Sequence, residues 1–141
     1  MAFIPYLSFQ GQCTKTFATY GHIFGAIPQM RRFSDMPPGE GMPPLTQDQK
    51  NWVMHAQLIT PEGDVLMGAD IPPQFGGQAQ AGVSISVTRD DLDMARVLFG
   101  LLAEDGQITM PFGPSFFARG FGMCRDQFGT SWMVNVPAKN Q

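Results

Sequence analysis

The thirty residues from Gln107 to Val136, QITMPFGPSFFARGFGMCRDQFGTSWMVNV, decide how the chain is read. They divide into three strand-like segments: Gln107–Phe112, Arg119–Arg125 and Thr130–Val136. A Gly-Pro loop parts the first two, and a tight turn, Asp126-Gln127-Phe128-Gly129, parts the last two. With a turn of that length, alternation puts Phe121, Met123, Trp132 and Val134 on one face and Gly120, Gly122, Met133 and Asn135 on the other. The second face mixes glycines with medium-sized side chains, so it should hold a hollow in which a small molecule can sit.

Upstream, Gly82–Val87 alternates Val83, Ile85 and Val87 with Ser84 and Ser86, as a half-buried strand does. Thr88 and Asp91 have the spacing of a capping box, with Asp in place of Glu or Gln. A helix over Asp91–Glu104 follows, its stripe of Leu92, Ala95, Leu98, Phe99 and Leu102 facing the sheet and Gly106 ending it. The first half reads the same way. A strand over Phe3–Phe9 carries Pro5, which donates no ladder hydrogen bond. Cys13, Phe17, Tyr20 and Phe24 line one side of a helix that stops at Gly25. A second strand over Ile27–Phe33 follows; Arg31 and Arg32 on it read as solvated charges. Asp35–Gln49 holds four prolines and two glycines and is either a cover, with Met36 and Met42 over an apolar pocket, or a loose segment. Trp52–Ile59 and Asp64–Asp70 form a hairpin. With its turn centred on Glu62-Gly63, His55 faces Asp70 across the strands. Each half is therefore strand, helix, strand and hairpin, which predicts an α+β fold of two βαβββ modules, residues 1–75 and 76–141, forming curled mixed sheets.

A chain of 141 residues is about one domain. Nine Lys and Arg against twelve Asp and Glu give a net charge of −3, with no basic run, so neither nucleic acid nor an anionic membrane is an expected partner. MAFIPYLSF is not a signal-peptide pattern and no apolar stretch nears the length of a membrane span, which places the protein in the cytoplasm as an expectation. Cys13 and Cys124 have no metal spacing and read as buried small apolar residues.

PYLSFQGQC, VMHAQL, LMGAD, ISV with DDLDMARVLFGLLAEDG, TMP and GFGMCRDQFGTSWMVN together resemble the PhnB-like proteins of the vicinal oxygen chelate superfamily, the group of glyoxalase I, bleomycin-resistance proteins and extradiol dioxygenases. The likeness covers nearly the whole chain. It implies the glyoxalase-like fold, two βαβββ modules and a homodimer. It also implies where a divalent metal would be held, on the first, fourth, fifth and eighth strands, near Pro5, Met67, Ser84 and Met133. None of these is an imidazole or a carboxylate, so no metal is expected. No glycine-rich loop on a βα turn is present to hold S-adenosylmethionine, and no cofactor is expected.

The candidate ligand-binding residues are His55, Gln57, Asp70, Arg119, Met133 and Asn135. His55 is either a core histidine satisfied by a neighbour or a polar group aimed into the cavity. It has no Ser or Cys partner at a recognisable spacing, so no catalytic residue is named. Asp70 could accept hydrogen bonds from the backbone or from a histidine. Arg119 and Arg125 are rim charges or anion clamps. Asn135 could meet a ligand or a backbone amide, and Trp132 is core. The leading expectation is a protein that binds a small apolar or aromatic molecule. The alternatives are a metal-dependent lyase, isomerase or dioxygenase of the superfamily, and an interaction module whose interior is filled.

Overall fold

A computed structural model describes residues 2–36 and 44–139. The chain packs as two compact units, Met1–Gln80 and Ala81–Gln141. The first unit contains β1 (Tyr6–Phe9), α1 (Cys13–Phe24), β2 (Gln29–Arg32), β3 (Val53–Ile59) and β4 (Val65–Asp70). The second contains β5 (Ser84–Thr88), α2 (Leu92–Ala103), β6 (Gln107–Gly113), β7 (Ala118–Arg125) and β8 (Ser131–Pro137). Each is one βαβββ module with a four-stranded mixed sheet, ordered β1-β4-β3-β2 in the first and β5-β8-β7-β6 in the second. The strand before each helix pairs in parallel with the last strand of its unit; the other pairings are antiparallel. This is the expected α+β, glyoxalase-like fold.

Each helix covers one face of its own sheet. Cys13, Thr16, Phe17 and Tyr20 are the buried stripe of α1, and Gly25, in the left-handed region, ends it by donating its N–H to Gly21. On α2 the buried stripe is Ala95, Leu98, Phe99 and Leu102. The capping residue is Asp91 rather than Thr88: its carboxylate accepts the Met94 N–H at 2.9 Å, one turn later than the capping-box spacing implied.

Both hairpins differ from their expected form in the same way. Ile59 pairs with Val65, and Thr60 N–H donates to Asp64 O at 2.9 Å, which leaves a three-residue loop, Pro61-Glu62-Gly63. Arg125 pairs with Ser131, and Asp126 N–H donates to Thr130 O at 2.8 Å, leaving Gln127-Phe128-Gly129. Gly63 and Gly129 close these loops at φ 93 and 94, the left-handed residue that a three-residue hairpin with a glycine bulge requires. A two-residue change of direction at Glu62-Gly63 or Gln127-Phe128 would set each register one residue away. A slip of one residue moves a whole strand to the opposite face.

The consequences run through both sheets. Phe121 faces Asn135 and Met123 faces Met133, while Gly122 faces Val134 and Cys124 faces Trp132. Trp132 and Val134 therefore share a face with the glycines and with α2, opposite to expectation. The glycine hollow does not exist. A Cβ on Gly122 would lie 2.8 Å from Phe99 Cε1 and 2.9 Å from Phe112 Cα, and one on Gly120 would lie 2.6 Å from the Phe112 ring and 2.8 Å from Leu92. The glycines let helix and β6 side chains come close to the sheet. Trp132, 2% exposed, is core, and its Nε1–H donates to Asp126 Oδ2 at 2.8 Å, which ties the hairpin loop to the interior. Cys13 and Cys124 are buried free thiols. No helix among the described residues is long and apolar enough to cross a membrane.

Candidate functional site

In each unit the face turned away from the helix is the one that can meet a ligand. On the first sheet, Tyr6 pairs with Met67, Met67 with Gln57, and Gln57 with Gln29; one step along, Arg31 pairs with His55. Paired residues share a face, and so do residues two apart on a strand. Tyr6, Met67, Gln57, Gln29, His55 and Arg31 therefore stand together. The Tyr6 hydroxyl lies 2.9 Å from His55 Nδ1, with the rings 5.7 Å apart between centroids. β4 lies between β1 and β3, so the tyrosine reaches across it to make that contact. Partial burial raises the Tyr6 phenol above its ordinary value, with a smaller rise from Cys13, so the phenol remains a protonated donor.

Asp70 is not on this face. It is 1% exposed, its Oδ1 accepts the N–H groups of Gly11 (2.7 Å) and Cys13 (3.1 Å), and its Oδ2 accepts that of Val53 (2.9 Å). The expected His55–Asp70 contact fails because the pairing Ala56–Gly68 sets the register one residue from the expected one, which puts Ala56 rather than His55 on the face of Asp70. Asp70 leaves the ligand-binding set and becomes the clamp that fixes the turn into α1 to the start of β3. Burial drives the Cys13 thiol well above its ordinary value, the Asp70 carboxylate adds to the rise, and Arg32 offsets part of it.

On the second sheet, Met110 pairs with Met123, Met123 with Met133, and Met133 with Ser86, so three methionines cross three strands side by side. Phe121 and Asn135 face each other on the next row. The Phe121 ring meets Phe117 edge-on at 5.0 Å, and Phe117 meets Phe116 at 5.3 Å. Met133 and Asn135 thus share a face with Phe121 and Met123, and not with Gly120 and Gly122 as expected. Arg119 shares the alternation of Phe121, but its guanidinium is engaged: Nε–H donates to Pro137 O at 3.0 Å and Nη2 to Asp90 O at 2.9 Å. It braces the end of the sheet.

The expected site residues therefore divide. His55 and Gln57 come together on the first sheet and Met133 and Asn135 on the second, while Asp70 and Arg119 bind backbone. Tyr6, Arg31, Met110, Met123 and Phe121 were not among the expected site residues. Alternation in Tyr6-Leu7-Ser8-Phe9 carried the signal for Tyr6; Met123 and Phe121 needed the correct hairpin register. Met42, half of the expected cover, lies outside the described residues.

The positions that would hold a superfamily metal were tested by their chemistry. The Pro5 carbonyl accepts the Met67 N–H at 3.1 Å, Ser84 pairs with Ser131, and Met133 pairs with Ser86. Thioethers and hydroxyls do not make a site for Zn²⁺, Ni²⁺ or Fe²⁺. Among the described residues, no three of His, Cys, Asp and Glu gather where they could hold a metal ion. The donor set does not fit the group.

No protein-family model matches the chain. Protein YjdN of Escherichia coli (strain K12) is 30% identical over 142 residues, spanning 96% of this chain and 95% of that protein. The crystal structure of protein PA1353 from Pseudomonas aeruginosa matches with a TM-score of 0.85 at 36% identity, over 99% of each chain. The PhnB protein from Bacillus cereus matches with a TM-score of 0.71 at 23% identity, over 96% of this chain and 99% of that one. A glyoxalase/bleomycin resistance/dioxygenase family enzyme from Burkholderia phytofirmans PsJN gives 0.62 at 10%, over 96% and 97%. The last two likenesses are of fold.

Proposed function

This chain belongs to the PhnB-like branch of the vicinal oxygen chelate superfamily, and from that premise we propose that it binds a small apolar or aromatic molecule on the sheet faces turned away from its helices, as a homodimer and without a catalytic metal. The observation that carries the proposal is the row Met110, Met123 and Met133, flanked by Phe121, on the face opposite α2. Methionine is unbranched and polarizable, adapts to varied shapes and makes favourable contacts with aromatic rings. A row of three offers a soft apolar floor, and Phe117 against Phe121 supplies an aromatic wall. Asn135 at its border gives one polar group to orient a ligand.

The test is titration with indole and with naphthalene, read on protein labelled with ¹³C at the methionine methyls. The expected result is saturable shifts at Met110, Met123 and Met133, with Met94, on the exposed side of α2, unmoved. Shifts absent from the row, or equal at Met94, would overturn the proposal.

A further inference from the structure

The first sheet carries a polar arrangement that an apolar floor does not explain. Arg31 and Arg32 are neighbours with different fates. Arg32 Nη1 donates to Thr14 Oγ1 at 3.0 Å and to Asn51 O at 2.8 Å, and its backbone N–H donates to Asp35 Oδ2, so it is fixed in the fold. Arg31, the next residue along the alternating strand, pairs instead with His55. Arg31 is exposed and makes no hydrogen bond or ion pair among the described residues. Asp35 accepts the Arg32 amide, and Asp70 accepts three amides on the other face of the sheet. A solvated arginine alone is ordinary. This one stands beside an imidazole whose orientation is set by Tyr6, and directly opposed residues have Cβ atoms about 5 Å apart.

We propose that Arg31 and His55, with Tyr6 positioning the imidazole, form an oxyanion site that takes the carboxylate or phosphate head group of a ligand whose apolar body lies on Met67. With the Tyr6 hydroxyl donating to Nδ1, a neutral imidazole carries its proton on Nε2 and becomes a donor. The guanidinium beside it supplies charge and a planar fork of donors that matches carboxylate or phosphate. Met67, paired to Tyr6 on one side and Gln57 on the other, is the apolar surface next to both. The proposal rests on the reading that these sheet faces take a small molecule, and it narrows the ligand to an apolar acid.

Isothermal titration with 2-naphthoate, 2-naphthyl phosphate and uncharged 2-naphthamide tests it. At least one anion should bind about fivefold or more tightly than the amide, and Arg31→Gln should remove that preference while leaving amide affinity within about twofold. The anion that gains more identifies the head group. Equal affinity for acids and amide, or an anion preference that survives Arg31→Gln, overturns the oxyanion site and leaves the apolar reading standing. No binding of any of the three up to about 10 mM overturns both. For Tyr6, the ¹⁵N spectrum of His55 reports the tautomer directly. Tyr6→Phe should shift the balance between Nδ1–H and Nε2–H and weaken the anion alone; an unchanged nitrogen pattern overturns its positioning role.

Discussion

Replacing Asp70 by asparagine should cost the first unit a large share of its stability while leaving the second nearly untouched. The wild-type carboxylate accepts three backbone N–H groups at 2.7, 3.1 and 2.9 Å and is 1% exposed, so water cannot substitute for it. Asparagine can keep one oxygen toward Gly11 and Cys13, but its amide nitrogen then faces the Val53 N–H, donor against donor. A hydrogen bond to a charged group contributes roughly 1.5–3 kcal/mol, and a stranded buried donor costs a similar amount, so about 2–3 kcal/mol should be lost in Asp70→Asn and about 4–6 in Asp70→Ala. Against a total stability of about 5–15 kcal/mol, the alanine variant approaches unfolding, which makes asparagine the workable change. At about 3 °C per kcal/mol, its melting temperature should fall by roughly 6–9 °C. Amide hydrogen exchange then locates the damage: Gly11, Cys13 and Val53 should lose protection, while β7 and β8 keep theirs. A fall of less than about 2 °C, with those three amides still protected, would show that the carboxylate is not the clamp described above.

Further outcomes follow from the same geometry. Gly122→Ala should destabilise by about 1–3 kcal/mol in urea titration, since its Cβ meets Phe99 and the Phe112 backbone; no change would return the glycine to the open face. Burial, with the Asp126 carboxylate adding to it, pushes the Cys124 thiol up from 9.0 to about 11. The folded state therefore holds this proton longer than the unfolded chain, so its contribution is intact below about pH 8.5 and is lost as pH rises toward 11. Cys124→Ala should flatten the alkaline fall in the urea midpoint, and an identical fall in both proteins would contradict the assignment. Light scattering at micromolar concentration should return twice the chain mass; a monomer alone would sink the dimer. Elemental analysis of protein purified without affinity-tag metal should find well under about one equivalent of Ni, Zn, Mn or Fe per chain. A full equivalent that His55→Ala abolishes would restore the metal-dependent enzyme.

Much of the fold was legible because it is written in periodicity. The stripe Cys13, Phe17 and Tyr20, and the stripe Ala95, Leu98, Phe99 and Leu102, recur at helical spacing, and those residues are the buried ones. The site was less legible, and for one physical reason. Which face a strand residue takes depends on the register, and the register depends on how many residues the hairpin loop contains. Composition marks Thr60–Asp64 and Asp126–Thr130 as turns. It does not say that the third loop residue, a glycine, turns left-handed and adds a position. From that single unit came the absent His55–Asp70 contact, the misplaced Trp132 and the glycine hollow that helix α2 fills. Arg31 was hidden differently: alternation separates it from Arg32, but nothing in the residue types says that its strand pairs so as to set it opposite His55.

The two hairpin loops also carry a lesson about change over time. Their ends use the same two residue types in exchanged order, Thr60 with Asp64 and Asp126 with Thr130, and in each case the first residue's oxygen receives the last residue's amide. A hydroxyl or a carboxylate at the first position can therefore close the same hairpin. Length is not so interchangeable. Removing one residue between Thr60 and Asp64 would invert the parity of the strand that follows, sending Leu66 and Gly68 outward and Val65 and Met67 against α1, whereas removing or adding two would restore every side chain to its side. Each loop is thus an odd-even counter: homologous chains are free to differ there in spelling, and in length only by even steps, if the same side of the sheet is to stay open.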